Sequence, residues 1–150
     1  MARVRRATTA DGPAFIALVR SLAAFEKLAP PTEQACADLL RDAFADPPRF
    51  ELWVAERDDD VIAYAVTFAT YSTFRARPTL FLEDLFVHPD ARRAGVATAM
   101  LKHLRAVAEE RGCGRFEWMV LDWNQDAITL YEKVGAAVMP QWQLCRVDLD

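Results

Sequence analysis

The chain has 150 residues, 53% of them hydrophobic and 27% charged, with a formal net charge of −4. That length suits one domain, residues 1–150, able to bury roughly two-thirds of its unfolded surface, and the composition excludes a disordered chain. A mildly acidic balance argues against a nucleic-acid partner, which needs phosphate-neutralising basic patches, and suits a small cationic one.

The opening Met1-Ala2-Arg3-Val4-Arg5-Arg6 is basic but leads into no apolar run, so it is not a secretory leader. Nor does any later apolar stretch approach the roughly 20 residues that span a bilayer. Cytoplasmic residence is the expectation. A short strand around Val4 ends near Ala7. Asp11 caps a first helix in which Phe15, Leu18, Val19 and Leu22 recur at helical spacing. That helix ends before Pro30-Pro31. Thr32 caps a second, with Leu39, Leu40, Ala43 and Phe44 on its apolar side and Pro47-Pro48 as its close.

Phe50 to Glu56 alternates as a strand, Asp58-Asp59-Asp60 forms a hairpin turn, and Val61 to Tyr71 returns. Thr79 to Val87 is the third strand of this meander. Val96, Met100, Leu104, Val107 and Ala108 mark one face of a third helix, ended by Gly112 and Gly114. Phe116 to Leu121 is an apolar strand, parallel to its predecessor through the helical crossover. Asn124 caps a short helix running through Lys133, and Gly135 stops it. Val138 to Val147 is expected to hold two short strands or an irregular hairpin. Cys36, Cys113 and Cys145 lack C-x-x-C spacing, and His88 and His103 are the only imidazoles, so no disulfide framework or zinc site is expected.

The most informative stretch runs from Leu82-Glu83-Asp84-Leu85-Phe86-Val87-His88-Pro89 into Arg92-Arg93-Ala94-Gly95-Val96-Ala97. An extended run stops at a Pro-bearing corner, and a short Gly/Ala loop opens a helix. Such a corner aims several backbone N–H groups at one spot, at the positive end of a helix dipole, and so makes a phosphate pocket. Gly95 has no Cβ, which lets the backbone approach a pyrophosphate closely.

The pattern Arg92-x-x-Gly95-x-Ala97 resembles the acyl-CoA pyrophosphate signature of the GNAT family, the Gcn5-related N-acetyltransferases. The order of elements matches that family over essentially the whole chain. The resemblance implies an α/β GNAT fold, with a mixed twisted sheet of about six to seven strands flanked by about four helices. It also implies parallel strands that splay after Glu83-Asp84 to form the acyl-CoA site. On that reading Leu85, Phe86 and Val87 offer backbone contacts to the pantetheine arm and thioester carbonyl of acetyl-CoA. Arg92, Arg93, Ala94, Gly95, Val96, Ala97 and Thr98 wrap its pyrophosphate. Arg93-Ala94 departs from the usual glycine-bearing dipeptide, and Ala97 replaces a second glycine, yet neither blocks a backbone donor.

Tyr131, in Leu130-Tyr131-Glu132-Lys133-Val134-Gly135-Ala136, matches the family's tyrosine that protonates the leaving thiolate. Asn124 matches a contact to the pantetheine arm, although capping alone accounts for an Asn there. Glu83 is the residue placed to accept the amine proton. An alkyl ammonium has a pKa of roughly 10.4, leaving about one molecule in two thousand nucleophilic near neutrality. Adjacent strand residues point to opposite faces, so without a bulge only one of Glu83 and Asp84 looks into the site.

Tyr71-Ser72-Thr73-Phe74, Leu82-Glu83-Asp84-Leu85, Gly112-Cys113 and Leu121-Asp122-Trp123-Asn124-Gln125 resemble the diamine acetyltransferases within that family. Trp142 sits where those proteins carry a Trp near the substrate amine, though a core or dimer-face aromatic explains it equally. Glu26 is a further acid that could hold a second ammonium. The expected activity is acetyl transfer from acetyl-CoA to a small primary amine in a ternary complex, by a homodimer. A protein or peptide acceptor, or a binding-only acyl-CoA sensor, is the alternative.

Overall fold

Continuous buried runs, Leu52–Ala55 in one strand and Ile62–Thr67 in the next, build the sheet that organises Met1–Met119, the larger of two compact units in a computed structural model that describes residues 1–150. The sheet holds β1 (Arg3–Arg6), β2 (Glu51–Arg57), β3 (Asp60–Ser72), β4 (Arg77–Val87) and β5 (Arg115–Trp118), neighbours in that order. The first four pair antiparallel; β4 and β5 pair parallel. β2 and β3 meet through Asp58 and Asp59, both at positive φ (54° and 67°), the conformation that tight hairpins require and aspartate tolerates.

Two helices cover one face. α1 (Gly12–Phe25) starts with Pro13 in its first turn, and α2 (Glu33–Ala43) is capped by the Thr32 hydroxyl, which accepts from the Ala35 amide at 3.1 Å. Their buried Phe15, Ile16, Leu18 and Cys36 pack with Leu52, Val54, Tyr64, Val66 and Phe86 of the sheet. On α3 (Val96–Glu110), Val96, Met100, Leu104 and Ala108 recur every four residues and are all buried, as an amphipathic helix requires.

The smaller unit, Val120–Asp150, contains α4 (Gln125–Lys133), capped by the Asn124 side chain accepting from the Ala127 amide. The chain thus has four α-helices and a five-stranded mixed sheet, not the six to seven strands expected. The shortfall lies in Val138–Val147, which forms no strand. Its side chains explain why: Trp142 and Val147 are 76% and 82% exposed, so no apolar face is covered there. A strand needs both a paired edge and a packed face to persist. The fifth strand also stops at Trp118 instead of Leu121, where its pairing with β4 ends.

Candidate active site

A single irregularity in β4 sets the geometry. Leu82 pairs with Thr67 and Asp84 pairs with Val66, so Glu83 is the extra residue of a β-bulge. Without a bulge Glu83 and Asp84 would face opposite ways; with it, both line one cavity. The parallel ladder between β4 and β5 ends one residue earlier, at Leu82 and Trp118, so β4 from Glu83 to Val87 has a partner only on the β3 side. This unpaired edge carries Leu85, Phe86 and Val87.

The cavity, about 440 Å³, lies on the α1–α2 face of the sheet. Phe15 and Val19 of α1, Leu39 of α2, and Phe50, Val66 and Phe68 form its apolar wall; Asp42 and Arg49 stand with Glu83 and Asp84 as its charged groups. Tyr64 was not apparent from sequence, where it is one residue within the returning strand Val61 to Tyr71. It is fully buried, and its hydroxyl donates to Asp84 Oδ2 at 3.0 Å.

Three acids converge electrostatically. Burial raises the Asp84 carboxyl above the ordinary range, partly offset by the Tyr64 hydrogen bond. Glu83 is raised by desolvation and then by Asp84, and Glu26, half-buried at the C-cap of α1, by the same two causes. Burial, then Asp84, drives the Tyr64 phenol far above its usual value, so it remains a donor. None of the three carboxylates forms an ion pair with a basic side chain. Clustered acids in a cavity with raised pKa values and no cationic partner form an environment suited to a positively charged ligand.

Downstream of β4, His88 turns the corner, its Nδ1 accepting from the Asp90 amide at 3.1 Å. Gly95 then caps α3 in the left-handed conformation (φ 77°), with no side-chain cap and no acid in the first turn. The amides of Val96, Ala97 and Thr98 therefore meet no acceptor within the chain, at the positive end of a 15-residue helix. A Cβ built on Gly95 would meet nothing within 4 Å, so the loop face is open. Arg93 also lies at positive φ (65°), where glycine would be unstrained.

Arg92 is held differently from what its place in the signature suggests. Its guanidinium stacks over Phe25 and Phe86 at 4.9 and 5.1 Å, and its Nε donates to the Val87 carbonyl at 3.2 Å. The side chain thus braces the loop against the end of α1 and the end of β4.

In the smaller unit Tyr131 lies on α4, and burial pushes its phenol pKa up, so the hydroxyl is protonated near neutrality. Asn124 spends its side-chain oxygen on the cap. Trp142 follows a turn closed by its amide to the Met139 carbonyl at 3.2 Å.

This arrangement, a bulged strand with a one-sided edge running into a phosphate-type loop and helix, defines an acyl-transferase class of site. Residues 17–136 match the family model for the acetyltransferase (GNAT) family. The chain belongs to that family, is an N-acetyltransferase, and groups with its diamine acetyltransferase branch. It is 34% identical to the thialysine N-epsilon-acetyltransferase of Mus musculus over 142 residues, covering 89% of this chain and 83% of the mouse protein. It is 37% identical to the L-ornithine N5-acetyltransferase of Arabidopsis thaliana over 106 residues, covering 70% of this chain and 46% of the plant protein. The fold matches a soil-metagenome aminoglycoside acetyltransferase solved with sisomicin, with a TM-score of 0.82 at 15% identity over 99% of this chain and 97% of that one.

Proposed function

We propose that this protein transfers an acetyl group from acetyl-CoA to the primary amine of a small molecule, polyamine, diamine or thialysine-like, by direct attack in a ternary complex. The observation that carries this reading is the bulge that sets Glu83 and Asp84, acids without a basic partner, on one cavity beside a one-sided strand edge. The relatives named for thialysine and L-ornithine acetylation support it.

An acyl-CoA fits the loop: unpaired amides after a left-handed glycine at a helix start suit a pyrophosphate. The backbone from Arg92 to Thr98 would hold that group, the Leu85–Val87 edge and Asn124 the pantetheine arm. The bound donor supplies an acyl carbon activated by its thioester.

Asp84 and Glu26 attract the ammonium form of the substrate, and Trp142 contributes an aromatic face toward its aliphatic cation. Glu83 accepts a proton from that ammonium, directly or through water. Burial, and then the neighbouring Asp84, raises its pKa, which makes its carboxylate a better base. The freed nitrogen lone pair forms the bond to the acyl carbon as the carbon–sulfur bond breaks. Tyr131 gives a proton to the departing thiolate and is reprotonated as the new amide nitrogen sheds its second proton, while Glu83 passes its own proton to solvent. No helix is long and apolar enough to cross a membrane. We further assign the protein to the cytoplasm as a homodimer, the exposed apolar Leu144, Val147 and Leu149 being suited to a second copy.

The test is acetyl-CoA-dependent thiol release with thialysine, lysine, ornithine, spermidine, short diamines and an N-terminal peptide. Saturable turnover of a small amine is expected. Turnover of the peptide alone would reassign the acceptor to protein, and tight acetyl-CoA binding with no turnover would make the chain a sensor.

A further inference from the structure

Arg92 opens the pyrophosphate loop, yet its side chain lies against residues that lead to the acids. The guanidinium covers the rings of Phe25 and Phe86, whose centroids are 6.4 Å apart, while its Nε donates to the Val87 carbonyl. Phe25 is the last residue of α1, and Glu26 is the C-cap that follows it. Asp84 and Phe86 are two residues apart on β4 beyond the bulge, so both face the α1 side, about 7 Å from each other. Phe25 therefore seats the end of α1 on β4 beside Asp84, and Arg92 clamps that seat from the loop. Burial, then Asp84, raises the Glu26 carboxyl, which agrees with two acids standing near one another.

Nothing bonded to Glu26 fixes its carboxylate. It takes part in no hydrogen bond and no ion pair, and α1 has no basic residue in its last turn. A carboxylate there also opposes the negative end of the helix dipole. Lys27 follows at positive φ (58°), and Leu28, Ala29 and Pro30 are exposed. The place of Glu26 thus depends on how the end of α1 is seated.

We infer that Arg92 is a positioning residue for the amine site: acting through Phe25, it sets where Glu26 stands relative to Asp84. It thereby ties the loop that receives the donor's pyrophosphate to an acid that receives the substrate's ammonium. This rests on the function proposed above. A guanidinium suits the task because its planar face lies on aromatic rings while an in-plane N–H reaches a carbonyl, whereas an ammonium has no such plane. Without the clamp Glu26 samples a wider range of positions and holds the ammonium less well. The amides of Val96, Ala97 and Thr98 belong to α3 and stay in place.

The experiment takes a small amine that the wild-type protein acetylates and measures amine KM, kcat and, by calorimetry, acetyl-CoA affinity. Arg92→Met is expected to raise amine KM about tenfold, with kcat and acetyl-CoA affinity each changed less than about threefold. Arg92→Lys, which keeps a cation but loses the plane, should recover part of that loss, and Phe25→Leu should reproduce it. In a Glu26→Gln background, Arg92→Met should leave amine KM where Glu26→Gln alone puts it, whereas a merely structural brace would add its own loss. Should thermal melts show Arg92→Met unfolded, Phe25→Leu with and without Glu26→Gln makes the same comparison. An additive effect on amine KM, or acetyl-CoA affinity falling as far as amine KM rises, overturns the positioning role while acetyl transfer to small amines stands. Failure of the wild-type protein on every amine overturns the proposed function and this inference with it.

Discussion

The hydroxyl of Tyr64, a fully buried core residue, donates to Oδ2 of Asp84, a carboxylate of the cavity, at 3.0 Å. The core therefore orients the site. Tyr64→Phe removes the hydrogen bond that holds the Asp84 pKa down, so that pKa should climb further. Near neutrality the variant should lose about 1–3 kcal/mol of stability, because a buried carboxylate has lost its donor. The acid limb of the kcat/KM profile should move to higher pH. An unchanged denaturation midpoint and an unmoved limb would count against the assignment.

Glu26, Glu83 and Asp84 all titrate above their unfolded values. Between the ordinary carboxylate pKa and the raised ones, the native state binds more protons than the unfolded chain. Stability from these groups therefore falls as pH rises through that window. Asp84→Asn keeps an acceptor for Tyr64 and removes the charge. It should leave stability at pH 7 equal or higher, flatten that decline, and lower kcat/KM for amine at least tenfold. Thermal melts across pH 4–8 check the first part; a steeper decline in the variant would contradict it.

Arg5 grips Asp11 with both guanidinium nitrogens, at 2.8 and 3.0 Å, and also reaches Glu56, tying β1 to β2 and to the start of α1. Arg5 is the main cause that lowers the pKa of the buried Asp11. That contribution is present above the unfolded carboxylate pKa and lost as pH falls toward the native one. Asp11→Ala should cost about 2–3 kcal/mol at pH 7, and less below pH 4. Acetyl-CoA affinity should be unaffected; a large fall in affinity would mean the network reaches the loop.

Arg93 carries a side chain at φ 65°, where left-handed backbone costs about 1–2 kcal/mol for an ordinary residue. Arg93→Gly removes that strain but frees the unfolded chain, so its net effect should lie between neutral and about 1 kcal/mol stabilising. Arg93→Val, β-branched, should destabilise the loop and weaken acetyl-CoA binding. Calorimetry on the pair decides it: equal stabilities would show that the loop relaxes to another conformation.

Tyr131→Phe should lower kcat by at least tenfold with acetyl-CoA affinity nearly unchanged, as expected for loss of a proton donor. Loss of affinity with kcat intact would sink the acid assignment. Glu83→Gln should slow turnover most at low pH, where free amine is scarcest, and an unaltered pH profile would remove Glu83 as the base.

The sequence by itself determined what short-range rules control. Thr32 and Asn124 cap the helices they were expected to cap, the aspartate pair turns its hairpin, and the spacing of Val96, Met100, Leu104 and Ala108 marks the buried face of α3. The loop ending at Gly95 announced its left-handed glycine and helix start in the same way. Tertiary structure decided what depends on pairing between distant residues. Only the register of β4 against β3 reveals the bulge at Glu83, and with it the sharing of one cavity by two adjacent acids. Tyr64 became a functional neighbour, and Arg92 a brace, through partners remote in sequence. Val138–Val147, expected to hold two short strands or an irregular hairpin, forms no strand, because strand formation requires a paired edge that the local sequence does not specify.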